Sequence, residues 1–305
     1  MTHTWTIKTL LDWSVDFFQK KEIESPRLDA EVLLAHVLKL KRIDLYLQFD
    51  RPLTQEELAN YKILLKRRAE HEPAVYILGE KEFWSKLFKV TPAVLIPRPD
   101  TEVLVEQVLK KMKGEHIGSP LQKSIFGLEI GLGSGIISTI LLLECPNLKM
   151  HAVEISKEAI DIAKENLARH NVSDRIEIFE KDFLNWESPK EKYDFLVSNP
   201  PYVKEKEYSH LSKTVRDFEP KHAILAGATG LEFHEALAKR VKNFVKPGGF
   251  IAVEIGEDQG QSVLEIFKNV AGAYGLSAEA LAKEDHTPLL IQDYARKDRV
   301  VIADL

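Results

Sequence analysis

The chain has 305 residues, enough for two domains with a substantial core, and its 42 basic and 47 acidic side chains leave a formal charge of −5. That balance disfavours a protein that grips a polyanion over its whole surface. A single cysteine, Cys145, excludes an internal disulfide and points to a reducing compartment, and the 10 histidines show no ligand spacing, so no metal is expected.

Residues 1–10 carry neither the basic segment nor the apolar core of a signal peptide, and no run reaches membrane-spanning length. A cytoplasmic protein without membrane association is expected. From about residue 5 to 78 the pattern is helical: Leu10, Leu11, Val15 and Phe18 recur at helix spacing, as do Leu33, Leu34, Val37 and Leu38. Ser25 reads as an N-cap with Pro26 at the tolerated first position. Thr54-Gln55-Glu56-Glu57 reads as a capping box that opens a helix through Leu65. Alternating Phe83, Phe88 and Val90 predict a β-hairpin over 81–91, and Lys110, Lys111 and Lys113 read as a solvated helix end. From about residue 100 strands and helices alternate, which argues for a parallel sheet with helices on both faces. The expected organisation is a helical domain over 1–78, a hairpin linker over 79–98 and an α/β domain over 99–305. No internal repeat or low-complexity tract interrupts it.

The α/β half carries the chemistry. An apolar strand over 126–130 runs into Gly131-Leu132-Gly133-Ser134-Gly135, and an apolar helix follows over 136–143. Strand, glycine turn and helix start together form a nucleotide-binding element, since glycines admit close backbone approach and the helix start offers free N–H groups. A dinucleotide fingerprint wants its third glycine at position 136, where this chain has Ile136, which counts against NAD and FAD. The next strand, 151–155, has His151 at its start and Glu154 near its end, about 20 residues past the glycines, where a carboxylate can accept both ribose hydroxyls of an adenosine. Ser156 caps a helix over 157–170, and a third strand over 175–180 leads into Lys181-Asp182-Phe183-Leu184.

The strand over 194–198 ends in Asn199-Pro200-Pro201-Tyr202, a tetrapeptide suited to a planar amide or amine nitrogen. Open α/β sheets bind ligands at the carboxyl ends of their strands. The Asn199 side-chain oxygen and the Pro200 carbonyl can each accept one hydrogen of an NH2 group. Pro201 fixes the backbone, and Tyr202 offers a flat face. Each feature also has a plainer reading: a strand-ending turn for Asn199-Pro200, a strand–helix turn for the glycines, a solvated acid beside a core ring for Asp182 and Phe183. His222 falls in a loop.

Glycines spaced by single residues look like the S-adenosylmethionine loop of class I methyltransferases. In that class an acid at the third turn faces the adenine amine and an apolar neighbour stacks on the ring, roles that fall to Asp182 and Phe183. The chain as a whole resembles the HemK/PrmC-type protein-glutamine methyltransferases. The resemblance rests on Ser25-Pro26-Arg27-Leu28-Asp29-Ala30-Glu31, Arg67-Arg68-Ala69-Glu70-His71-Glu72-Pro73, Tyr76-Ile77-Leu78-Gly79 and Glu82-Phe83-Trp84. Phe88-Lys89-Val90, Leu95-Ile96-Pro97-Arg98-Pro99-Asp100-Thr101-Glu102, the Asn-Pro-Pro-Tyr stretch, Asp293-Tyr294 and Asp298-Arg299-Val300-Val301 complete it, over roughly residues 10–303.

That resemblance implies a class I, Rossmann-like methyltransferase domain preceded by a small helical bundle and a β-hairpin linker. It implies S-adenosylmethionine as cofactor, held by Gly131, Leu132, Gly133, Ser134, Gly135, Glu154, Asp182, Phe183 and Asn199. The reaction implied is methylation of the glutamine of a Gly-Gly-Gln loop in peptide-chain release factors, with Asn199, Pro200 and Tyr202 catalytic and Pro201 lining the substrate. The helical domain would dock that protein, and no stable nucleic-acid binding is expected. Glu129 and Glu154 stand where the family more often has Asp, Ala93 replaces a common Gly, and the chain is longer than the family norm between Gly275 and Pro288. The alternative is a nucleic-acid methyltransferase acting on an adenine or guanine amine, which fits the same clamp.

Overall fold

The computed structural model describes residues 4–113, 124–187, 192–273 and 287–305. Helices α1 (Ile7–Lys20), α2 (Pro26–Leu38), α3 (Arg42–Leu47), α4 (Gln55–Ala69) and α5 (Ala74–Leu78) come first, then strands β1 (Glu80–Phe83) and β2 (Lys86–Lys89). Next are α6 (Thr101–Lys113), β3 (Ile125–Ile130), α7 (Ile136–Glu144), β4 (Leu148–Glu154), α8 (Lys157–Arg169), β5 (Ile176–Glu180) and β6 (Tyr193–Ser198). Short β7 (Val203–Lys204), α9 (Glu205–Tyr208), α10 (Lys213–Phe218) and β8 (Leu225–Gly227) follow. The chain ends with α11 (Glu232–Phe244), β9 (Val245–Glu254), α12 (Gly260–Ala273), β10 (Leu289–Gln292) and β11 (Asp298–Asp304). The extra length after Gly275 lies outside the described residues up to 286. No described helix is long and apolar enough to cross a membrane.

Two compact units divide these elements: Met1–Glu80 with Ser212–Phe218, and Lys81–Leu211 with Glu219–Leu305. In the first, Leu10, Leu11 and Phe18 of α1 pack with Leu33 and Leu34 of α2 around buried Tyr61. The Thr54 capping box forms as expected, Glu57 N donating to Thr54 Oγ1 at 3.2 Å and Thr54 N to Glu57 Oε2 at 2.8 Å, and α4 runs past Leu65 to Ala69. Ser25 does occupy the N-cap of α2, with Pro26 at the first helical position, but its side chain makes no capping bond. The acids of α2 turn inward instead. Asp29 accepts from Arg68 at 2.6 Å, and Glu31 from Arg27 at 2.5 Å and from Tyr46, so these family residues tie the bundle together.

The second unit is built on a seven-stranded sheet of order β10-β11-β9-β6-β3-β4-β5. The five strands from β9 to β5 are parallel, and β11 and β10 add an antiparallel hairpin at the edge. Burial on both faces explains the near-continuous apolar runs. In β9, Phe250 and Ala252 join the core under α6 and α7, while Ile251 and Val253 join the core under α11 and α12. The β1–β2 hairpin packs Phe83 and Phe88 into the first of these cores. Two local expectations change. Strand β4 starts at Leu148, so His151 lies mid-strand, its Nδ1 2.9 Å from the Tyr193 hydroxyl. Lys111 is not a solvated helix end: it is largely buried and pairs with Asp304 at 2.7 Å.

From β3 the chain moves to β4 and β5 on one side, then returns to β6 on the other. The ends of β3 and β6 remain in register, Ile130 opposite Ser198, and their loops diverge from that point. This is the crevice where open parallel sheets hold their ligands.

Candidate active site

Over the carboxyl ends of these strands lies a cavity of about 1060 Å³, its open mouth included. Of the residues singled out from sequence, Gly131, Leu132, Gly133, Ser134, Glu154, Asp182, Phe183, Asn199, Pro200 and Pro201 line it. Gly135 and Tyr202 are not part of the wall. The loop over 93–98 forms another side, pinned by buried Glu219, which accepts from Ile96 N at 3.1 Å and Arg98 Nη2 at 2.6 Å. His222, in the short turn Lys221–Ala223, also reaches the cavity.

Gly131 and Gly133 have φ of +77° and +54°, and a Cβ added to either would stand in open space. The backbone is therefore bare where a ligand would lie against it. Gly135 serves a different purpose: it is the N-cap of α7, and a Cβ there would sit 3.1 Å from that of Ala163, so its absence lets α7 start close against α8.

Glu154 is buried and heavily used. Its Oε2 accepts from Gly133 N at 2.9 Å, and its Oε1 from Ile155 N at 2.9 Å and Ser156 N at 3.0 Å. A carboxylate offers about four lone-pair sites, so three are taken, and Glu154 has room for one ribose hydroxyl rather than two in this arrangement. Asp182 closes its own turn, accepting from Leu184 N and Asn185 Nδ2, each at 2.9 Å. Phe183 belongs mostly to the core: its ring lies 5.9 Å from that of Phe244 and under the Arg240 guanidinium at 5.0 Å.

Sequence reasoning did not place Glu129, Thr101 or Glu254 in the site. Glu129 accepts from Ser138 N at 3.0 Å through Oε2, while its buried Oε1 has no partner among the described residues. Burial pushes its carboxyl up to about 8 despite the Ser138 bonds. A carboxyl oxygen on the cavity wall without a partner among the described residues, a bare glycine turn and one free site on Glu154 fit the amine, backbone and hydroxyl chemistry of S-adenosylmethionine.

On the β6 side, Asn199 Nδ2 donates to Thr101 Oγ1 at 3.2 Å, and Thr101 Oγ1 donates to Glu254 Oε2 at 2.7 Å. Burial raises the Glu254 carboxyl to about 7, against the opposing pull of its Thr101 and Asn199 hydrogen bonds. Tyr202 lies near this group. Burial and then the Glu254 charge raise its phenol to about 12, and its carbonyl accepts from Gln259 Nε2 at 3.0 Å. The signal for Glu254 was present in sequence: an acid ending an apolar strand, as Glu154 does.

The PrmC N-terminal domain matches residues 9–79, and the methyltransferase small domain matches 101–218. The release factor glutamine methyltransferase of Rhodopirellula baltica is 38% identical, covering 97% of this chain and 95% of its own. That of Geobacter sulfurreducens is 39% identical over 86% of this chain and 88% of its own. Among solved structures, the hMettl16 catalytic domain in complex with a MAT2A 3′UTR hairpin superposes with a TM-score of 0.51 at 18% identity, over 71% of this chain and 74% of that one, which shows the fold alone.

Proposed function

We propose that this chain, which belongs to the release factor glutamine methyltransferase family, transfers a methyl group from S-adenosylmethionine to the side-chain amide nitrogen of the glutamine in the Gly-Gly-Gln loop of peptide-chain release factors. The observation that carries this reading is the placement of Asn199 and Pro200 on the wall of the same cavity as the bare glycine turn, with Ile130 and Ser198 in register behind them.

S-adenosylmethionine supplies an electrophilic methyl group on a sulfonium. Gly131, Gly133, Glu154 and Glu129 are the groups of this chain suited to hold it. A carboxamide nitrogen is a poor nucleophile because its lone pair is delocalised, and the Asn-Pro-Pro-Tyr motif contains no strong base. What the site offers is orientation. Asn199 Oδ1 and the Pro200 carbonyl accept the two amide hydrogens, which holds the nitrogen in line and enriches its electron density. Positioning of this kind contributes up to several kcal/mol, roughly 7–11 in the best intramolecular cases. The nitrogen that gains the methyl becomes acidic and releases one proton to water.

The helical residues 1–78 act as the docking domain for the protein substrate, 79–98 as a linker and 99–305 as the catalytic domain. Purified release factor, DNA and rRNA offered in parallel with radiolabelled cofactor test the reading. Label in the release factor alone supports it, and label in either nucleic acid with none in the factor overturns it.

A further inference from the structure

We infer that Thr101 and Glu254 form a positioning relay that fixes which face of the Asn199 carboxamide meets the substrate. The inference rests on the glutamine methyl transfer proposed above. It concerns two residues that the substrate need not touch.

An Asn side chain is nearly symmetric in shape and opposite in chemistry at its two ends. Only Oδ1 accepts, so a flipped Asn199 would present donors to an NH2 group and repel it. Nothing in the motif itself sets the flip. The relay does. In its ionised form, which prevails above about pH 7, Glu254 has no proton to give, so the Thr101 hydroxyl donates to its Oε2 across 2.7 Å. The Thr101 oxygen is then left with lone pairs alone, and the Asn199 atom 3.2 Å away must be the donor Nδ2. Oδ1 faces the other way and is left for the substrate. Both relay residues are nearly inaccessible, Thr101 at 1% and Glu254 at 2%, so water does not compete for these bonds.

Glu254 ends β9, Thr101 begins α6, and Asn199 follows β6, so three separate elements converge on the contact. The charged and titratable groups around it are Asp100, next to Thr101, Arg299 on β11, and Tyr202, the last residue of the motif. Arg299, held by Asp100 at 3.0 Å and Asp293 at 2.9 Å, favours the charged form of Glu254 that the relay requires, while burial and Asp100 favour the neutral one. His234 Nε2 donates to the Glu254 backbone carbonyl at 3.0 Å and so leaves the carboxyl free.

Thr101→Val keeps the shape and removes the hydroxyl. In the full-length enzyme it is expected to lower kcat on intact release factor by about 10- to 100-fold, while the Kd for S-adenosylhomocysteine by titration calorimetry stays within about threefold. Thr101→Ser, which retains the hydroxyl, should restore kcat to within about threefold of wild type. Glu254→Gln should lower kcat by about tenfold, since an amide there no longer dictates the direction of the Thr101 proton. The cycle with Asn199→Ala is decisive: measured in single turnovers, Thr101→Val added to Asn199→Ala should cost nothing further. If Thr101→Val misfolds, judged by its thermal midpoint, the Glu254→Gln cycle with Asn199→Ala replaces it. The relay is overturned if a folded Thr101→Val keeps half of wild-type kcat, or if either relay substitution carries its full cost on top of Asn199→Ala. Wild-type enzyme inactive on release factor would instead overturn the reaction itself.

Discussion

Glu154 holds the glycine turn to the end of β4, and substituting it separates a ligand-binding role from a purely local one. Glu154→Ala leaves the N–H groups of Gly133, Ile155 and Ser156 without their acceptor. Hydrogen bonds to a charged acceptor contribute roughly 1.5–3 kcal/mol each, but water at the cavity mouth replaces part of that. A net loss of about 2–3 kcal/mol in stability and a 10- to 100-fold weaker cofactor complex are the expected results. Glu154→Gln is the sharper probe. Its single oxygen can keep the Ile155 and Ser156 pair only by turning its NH2 towards Gly133 N–H, donor against donor. Gln should therefore weaken binding nearly as much as Ala. Were Glu154 there only for a ribose hydroxyl, Gln would be tolerated within a few-fold. Titration calorimetry with S-adenosylmethionine and its demethylated product, beside thermal unfolding without cofactor, reads both effects. Wild-type affinity for both ligands in both variants would refute the placement of the adenosine at this carboxylate.

Burial holds the Glu129 carboxyl at about 8, above its ordinary 4.5, so across that window the native state keeps a proton the unfolded chain has lost. Stability therefore falls as pH rises through it, by at most about 1.4 kcal/mol per pH unit from this group, and Glu129→Gln should flatten the slope in urea titrations; an unchanged slope would refute the assignment. Deleting residues 1–75 should raise KM for intact release factor and leave KM for a short Gly-Gly-Gln peptide much less affected, because specific protein recognition buries on the order of 1,600 Å² and one glutamine supplies far less. The truncation must first be folded and monodisperse, since Ser212–Phe218 groups with the deleted unit. Unchanged kinetics on the intact factor would reduce the helical domain to a structural appendage.

Most of the sheet was legible because its strands are short apolar runs ended by glycine, acid or Asn-Pro, and the ends of those runs line the cavity. Asn199, Pro200, Gly131, Gly133 and Glu154 all follow from that local grammar. What escaped it was contact between distant positions. Thr101 and Glu254 are adjacent only because α6 and β9 pack together, and a threonine in a helix start carries no sign of its partner. Gly135 and Tyr202 complete their motifs without lining the cavity: Gly135 lies against Ala163 of α8, and Tyr202 lies near Glu254. The grouping of α10 with the first unit has no local signal at all. His151 lies mid-strand because β4 begins at Leu148, where exposed Lys149 is ordinary alternation between buried Leu148 and Met150.

The central claim is that the Asn199 and Pro200 acceptors orient a glutamine amide for methylation. It is tested most directly by mass spectrometry of the release-factor peptide containing Gly-Gly-Gln, after incubation with wild-type enzyme or Asn199→Ala. Wild-type enzyme should add one methyl group, localised by fragmentation to the glutamine side chain. The variant should turn over slower by two or more decades, roughly 3 kcal/mol at the reacting centre, with cofactor affinity retained. A methyl group found elsewhere, or a variant retaining a tenth of wild-type turnover, would contradict it.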